Sequence, residues 1–123
     1  MSTLVVATLK SNSSSPPAFQ NTSGTEVGTL CRAWVNFNGT GTVAIRGQFN
    51  VSSITDNGTG DYTVNFTNAL ADANYSTCIS AGGSTGSWTE LLPSTYSTSQ
   101  VRMQTRGTTS NADNSTFCVS IFR

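Results

Sequence analysis

Apolar and polar residues alternate with period two in six stretches of the chain, and each stretch predicts a strand with one buried face. Residues 32–38 set Ala33, Val35 and Phe37 on one face and Arg32, Trp34 and Asn36 on the other. Residues 42–50 align Val43, Ile45 and Phe49, with Gly47 between them. Tyr62, Val64 and Phe66 recur in residues 61–67, and Tyr75, Thr77 and Ile79 in residues 74–80. Val101 and Met103 alternate with Arg102, Gln104 and Arg106, and residues 116–122 align Phe117, Val119 and Ile121. Helical periodicity persists for three turns nowhere, and residues 68–74 are the one stretch with scope for a helical turn. Asn38-Gly39 and Asn57-Gly58 predict hairpin turns, because Asn and Gly tolerate positive φ. Gly41 and Gly60 extend those loops. The pattern predicts an all-β fold of six to eight strands, as an antiparallel β-sandwich or compact barrel.

The first 29 residues read differently. Residues 3–9, "TLVVATL", are apolar and β-prone, and the Ser-rich run with Pro16-Pro17 after them can continue neither a sheet nor a helix. Pro16-Pro17 favours an extended, polyproline-like path. The organisation expected is an extended N-terminal arm over residues 1–29 and a β-sandwich domain over residues 30–123. Leu4, Val5, Val6, Leu9, Pro16, Pro17 and Phe19 are the candidate partner contacts of the arm. A strand-like 3–9 segment could add to the sheet edge of a partner, or the arm could fold back on its own domain.

Trp34 raises a second question, since it falls on the polar face of its strand. Either a second sheet covers it or a neighbouring subunit does, with low exposure in both cases. Residues 87–97, "SWTELLPSTYS", read as a loop or short edge strand, and Trp88, Leu91 and Leu92 there are too apolar for a free loop. Trp34, Trp88, Leu91 and Leu92 are therefore the candidate subunit-interface residues.

Composition narrows the chemistry. A chain of 123 residues suits one domain. Only 10% of residues are charged and the net charge is zero, while 18 Ser, 20 Thr and 11 Asn supply most of the polarity. The six basic residues are scattered, and only Lys10 is a lysine. Nucleic-acid binding, which needs clustered Lys and Arg, is not expected. No apolar segment approaches the ~20 residues of a membrane span, so membrane insertion is not expected either. The first ten residues have no basic n-region and too short an apolar run for a secretory leader, so none is expected, and the eight Asn-x-Ser/Thr sequons are expected to reflect the abundance of those residues. With no His, the commonest general base and metal ligand is missing. Cys31, Cys78 and Cys118 match no zinc spacing, and they read as free, with a Cys78–Cys118 bridge open if their strands are neighbours. Asp56 and Asp61 flank one turn, where a carboxylate pair or a bound ion would be conceivable, but aspartate is common beside turns. The chain is expected not to be an enzyme and to use no cofactor or metal. Trp34, Trp88, Tyr62, Tyr75, Tyr96 and Phe37 could line a sugar-binding face, though rings in short strands more often build a core.

The stretch "CRAWVNFNGTGTVAIRGQFNVSSITDNGTGDYTVNFTNALADANYS" resembles a module of bacteriophage virion proteins, often named as tail fibre proteins and familiar from marine and cyanobacterial phages. The upstream "PPAFQNTSGTEVGTL" is similar to the usual approach to that module, so the resemblance spans residues 16–77. It implies a β-rich virion component, made in the host cytoplasm and carried on the virion surface, that forms a homotrimer. It does not fix the position in the particle. The chain starts at its own Met and lacks the long shaft of a complete tail fibre. Small trimeric capsid decoration (cement) proteins clamp neighbouring capsomers, often through an extended N-terminal arm, and this chain suits that role with the major capsid protein as partner. The alternative is a tail-fibre or knob protein that contacts tail proteins and binds host surface glycans.

Overall fold

The computed structural model describes residues 2–13, 16–82, 90–106 and 110–123, without the side chains of residues 90–94 and 106. Among these the structure is all-β. Ten strands occur in order: β1 (Phe19–Gln20), β2 (Glu26–Gly28), β3 (Cys31–Asn38), β4 (Ala44–Phe49), β5 (Val51–Gly58), β6 (Asp61–Phe66), β7 (Ser76–Gly82), β8 (Glu90–Tyr96), β9 (Gln100–Arg106) and β10 (Thr116–Phe122). The chain divides into two compact units, Met1–Leu30 and Cys31–Arg123.

The larger unit is built from two four-stranded antiparallel sheets, ordered β4-β3-β10-β7 and β5-β6-β9-β8. Neither closes on itself, so the barrel alternative is set aside in favour of a sandwich-like fold. Alternation puts Ala33, Val35, Phe37, Phe117, Val119 and Ile121 of the first sheet into one core with Tyr62, Val64, Phe66, Val101 and Met103 of the second. The Tyr62 ring lies 5.4 Å from Phe37 and 5.1 Å from Phe117, centroid to centroid, which ties the two inner faces together. Burying each such side chain contributes about 1.5–3 kcal/mol, and each aromatic pair about 0.5–1.5 more.

Two local features depart from the alternation and turn patterns. β4 carries one extra residue, Arg46, so that Gly47 stands opposite Asn36 while Ile45 stands opposite Phe37. The bulge reverses the faces beyond it: Ile45 pairs with the buried Phe37 but is itself exposed, and Phe49 pairs with Trp34 on the outside. Val43, Ile45 and Phe49 therefore do not share a face as the alternation suggested. In the β5–β6 hairpin, Gly58 pairs with Asp61, so Thr59-Gly60 forms the turn rather than Asn57-Gly58. Gly60 has φ 64°, and a Cβ there would come within 2.1 Å of the Thr105 hydroxyl and 2.9 Å of the Ala112 backbone. The β3–β4 turn does come directly after Asn38, whose amide holds both the carbonyl (2.8 Å) and the hydroxyl (2.8 Å) of Thr40. Residues 68–74 form bends rather than a helical turn, and they bury Leu70.

The smaller unit contains a short ribbon, β1 paired with β2. The Asn21 carboxamide oxygen closes its turn by accepting from the Ser23 and Thr25 N–H groups, each at 3.0 Å. An extended path was expected here, but Asn21 and Gly24 (φ 79°) supply the chemistry of a turn. Among the described residues, no strand precedes Phe19.

Candidate interaction surface

Among the described residues, three surfaces remain once the core is accounted for. The first is the outer face of sheet β4-β3-β10-β7. Trp34 stands there opposite Phe49 on one side and Ser120 on the other. Gly47 lies under its ring, where a Cβ would be in van der Waals contact with the indole at 3.4 Å. Trp34 is 42% exposed and Phe49 54% exposed, and Phe122 is also exposed on this side of β10. The second sheet therefore does not cover Trp34, which leaves a neighbouring subunit as the remaining expected cover. Asn36 lies beside the ring, donating to the Cys118 thiol at 3.0 Å and accepting from Arg46 at 3.3 Å. Arg46 also donates to the Ser115 carbonyl at 2.5 Å, which anchors the bulged residue.

Among the described side chains, the outer face of sheet β5-β6-β9-β8 is largely polar, with its polar groups hydrogen-bonded to one another. Asp61 is only 8% exposed although it points away from the core. Arg102 donates to both its oxygens (2.8 and 2.6 Å), Gln104 donates to one at 2.8 Å, and Asn57 to the other at 3.3 Å. The Arg102 hydrogen bonds, with those of Gln104 and Asn57, outweigh desolvation and hold the Asp61 carboxyl at about 2. Asn57 donates to Thr63 as well, and Asn65 donates to the hydroxyls of Ser53 and Thr55. Asp61 is thus spent on structure. Asp56 accepts from the Gly58 N–H at 2.9 Å, a turn-capping role. The two carboxylates flanking the turn thus have separate sets of hydrogen-bond partners.

At one end of the sandwich Tyr62 donates from its hydroxyl toward the Gly39 carbonyl (2.8 Å) and the Asp113 carboxylate (2.6 Å). Asp113 also accepts from the Gly60 N–H at 2.7 Å. Burial, then the Asp113 carboxylate, push the Tyr62 phenol far above its ordinary range. This ring is a core pillar with a fixed polar tip, not a sugar platform. Tyr75 is used the same way, with its hydroxyl 3.1 Å from the Ser97 carbonyl and 3.0 Å from that of Gln100.

The third surface is the N-terminal segment. Leu4 is 80% exposed and Val5 88%, and Val6, Leu9, Phe19, Val27 and Leu30 are exposed with them. Pro16 is exposed and Pro17 half-buried. Among the interface candidates, Leu91 and Leu92 lie in edge strand β8, paired through the backbone with Thr105 and Gln104, and their side chains lie outside the described residues. Trp88 lies outside the described residues altogether.

The cysteines are free. Cys78 and Cys118 do lie on neighbouring strands, but Cys78 stands opposite Ser120 and Cys118 opposite Ser80. That diagonal offset separates Cα atoms by about 7–8 Å, beyond disulfide reach.

Sequence reasoning missed Phe49 and Phe122 as surface residues and missed the Asp61–Arg102 pair. Knowing that β6 lies beside β9 would have revealed the pair, and alternation along single strands does not give that. Comparison with known proteins returns no matching family model, no matching curated protein and no matching solved structure.

Proposed function

We propose that the protein is a bacteriophage virion structural component, a trimeric capsid decoration or cement protein that stabilises the head through its N-terminal arm. One observation carries this reading: Leu4, Val5, Val6 and Leu9 form an uncharged apolar run left open to solvent, in a chain whose core is assembled entirely from other residues. Exposed apolar groups of that kind mark protein contacts. The resemblance of residues 16–77 to phage virion modules supports the setting. The mechanism is passive. Each arm side chain that becomes fully buried against the major capsid protein contributes about 1.5–3 kcal/mol, and three arms per trimer multiply the attachment.

Co-sedimentation with undecorated heads tests it, using the full chain and a chain lacking residues 1–18. The expected outcome is loss of head binding by at least about tenfold, since removing four buried side chains takes away well over about 1.4 kcal/mol. Unchanged binding by the shortened chain would sink the arm mechanism.

A second reading is favoured by one observation, the half-exposed Trp34 ring with Phe49, Asn36 and Arg46 around it. A tail-fibre or knob protein would use such a face to stack host surface glycans. Trp34→Ala should then abolish binding to host cells or extracted lipopolysaccharide while leaving the fold and attachment to tail proteins intact.

A further inference from the structure

Among the described residues, the sandwich has four edge strands, β4, β7, β5 and β8. Open edges invite pairing with other chains, and proteins blunt them with bulges, prolines or charges. β4 has the Arg46 bulge. β5 has two irregularities, at Val51/Ser53 and Asp56/Gly58. β8 has Pro93 and a shift between Pro93 and Thr95. β7 has none of these devices. Its seven residues, "STCISAG", contain no charge and no proline, and they pair with β10 in unbroken register from Ser76↔Phe122 to Gly82↔Thr116. In an antiparallel ladder every second residue of such an edge turns both its N–H and its C=O away from its partner.

The same chain carries a segment with the opposite need. Residues 3–9 match β7 in length, are uncharged and β-prone, and belong to no strand pair among the described residues. Residues 10–18, when fully extended, can span up to about 30 Å, enough to reach past one small domain.

We propose that β7 is the acceptor edge for the 3–9 segment of a second copy of this chain, which adds as a fifth strand and links copies by arm exchange. Backbone hydrogen bonds supply the pairing, and the alternating side chains of Leu4, Val5 and Val6 fix its register. This does not rest on the virion reading: the pairing uses the backbone of the 3–9 segment, and the side chains it leaves on the sheet faces are the ones that reading assigns to the capsid protein. A chain that self-associates through β7 and never touches a phage head keeps this inference and loses that reading.

Cys78 makes the test direct, because it is exposed on β7. Single cysteines are placed at Leu4, Val5, Val6 and Ala7 of the full-length protein, with and without Cys78→Ser, and mildly oxidised at several concentrations. Neither the arm nor Cys78 belongs to the core, so every variant should fold. The expected result is covalent dimers or trimers on non-reducing gels, formed only when Cys78 is present. Yield should alternate along the four positions by at least about fivefold, since neighbouring strand residues face opposite ways. Light scattering on the unmodified protein should show an oligomer, and the chain lacking residues 1–18 a monomer. Cross-links at monomer mass only, equal yields at all four positions, products that persist without Cys78, or a monomeric full-length protein would each overturn the inference.

Discussion

Val35 and Val5 are the same residue in opposite circumstances. Val35 is 1% exposed inside the sandwich, and Val5 is 88% exposed in the N-terminal segment. Both sit in β-prone apolar runs. The difference lies in the chain downstream of each run. After Val35 come Asn38 and a turn that returns the chain as β4, and later the distant arrival of β10. After Val5 come Ser residues and Pro16-Pro17, which return nothing. Burial is thus decided by the connection, and an apolar run without a returning partner is left available to another molecule.

Several measurements would break or sharpen that contrast. The largest effect is expected from Phe117→Ala, which removes a ring stacked 4.9 Å from Phe37. It should cost about 3–5 kcal/mol in urea unfolding, whereas Val5→Ala should change stability by less than about 0.5. Equal effects would mean that the N-terminal segment is part of the folded core. Next come two glycines with similar φ. Gly60→Ala strains the backbone and drives a Cβ into Thr105 and Ala112, whereas Gly41→Ala meets nothing within 4 Å. Gly60→Ala should cost about 2–4 kcal/mol and Gly41→Ala about 1, by the same assay. Tyr62→Phe keeps the ring and removes the hydroxyl that serves Gly39 and Asp113. A loss of about 1–2 kcal/mol is expected.

The smallest effect is pH-dependent. Asp61 has its carboxyl lowered from 3.8 to about 2 in the folded state. A depressed carboxyl stabilises the fold above its unfolded value and loses that contribution as pH falls through the folded one. Stability should therefore decline between about pH 4 and pH 2, by on the order of 1 kcal/mol given the partial exposure of Arg102. Asp61→Asn should flatten that limb of the profile, and an unchanged profile would show that the ion pair contributes nothing.

Much of the fold was legible in single strands. Tyr62, Val64 and Phe66, and likewise Phe117, Val119 and Ile121, alternate without interruption, and all six are buried. Phe49 was misplaced because a bulge adds one residue, and one residue inverts every later position. Beyond the two hairpins, β3 with β4 and β5 with β6, which strands lie side by side was not legible. β3 beside β10 and β6 beside β9 are long-range pairings, and the sandwich, the Asp61–Arg102 pair and the bare edge of β7 all depend on them. The surface candidates fared accordingly. Leu4, Val5, Val6 and Leu9 were visible as a run with no returning strand, while Trp34 could be placed on a face but not covered or uncovered.

The position of β10 between β3 and β7 also sets an order in time. Asn36 and its partner Cys118 are 82 residues apart. At about 5–20 residues per second, a ribosome delivers the second roughly 4–16 s after the first. During that interval Ala33, Val35 and Phe37 are outside the tunnel with only half a sheet to join. The sequence between them is rich in hydroxyls and carries eight of the twelve charged residues, groups that water solvates while the chain waits.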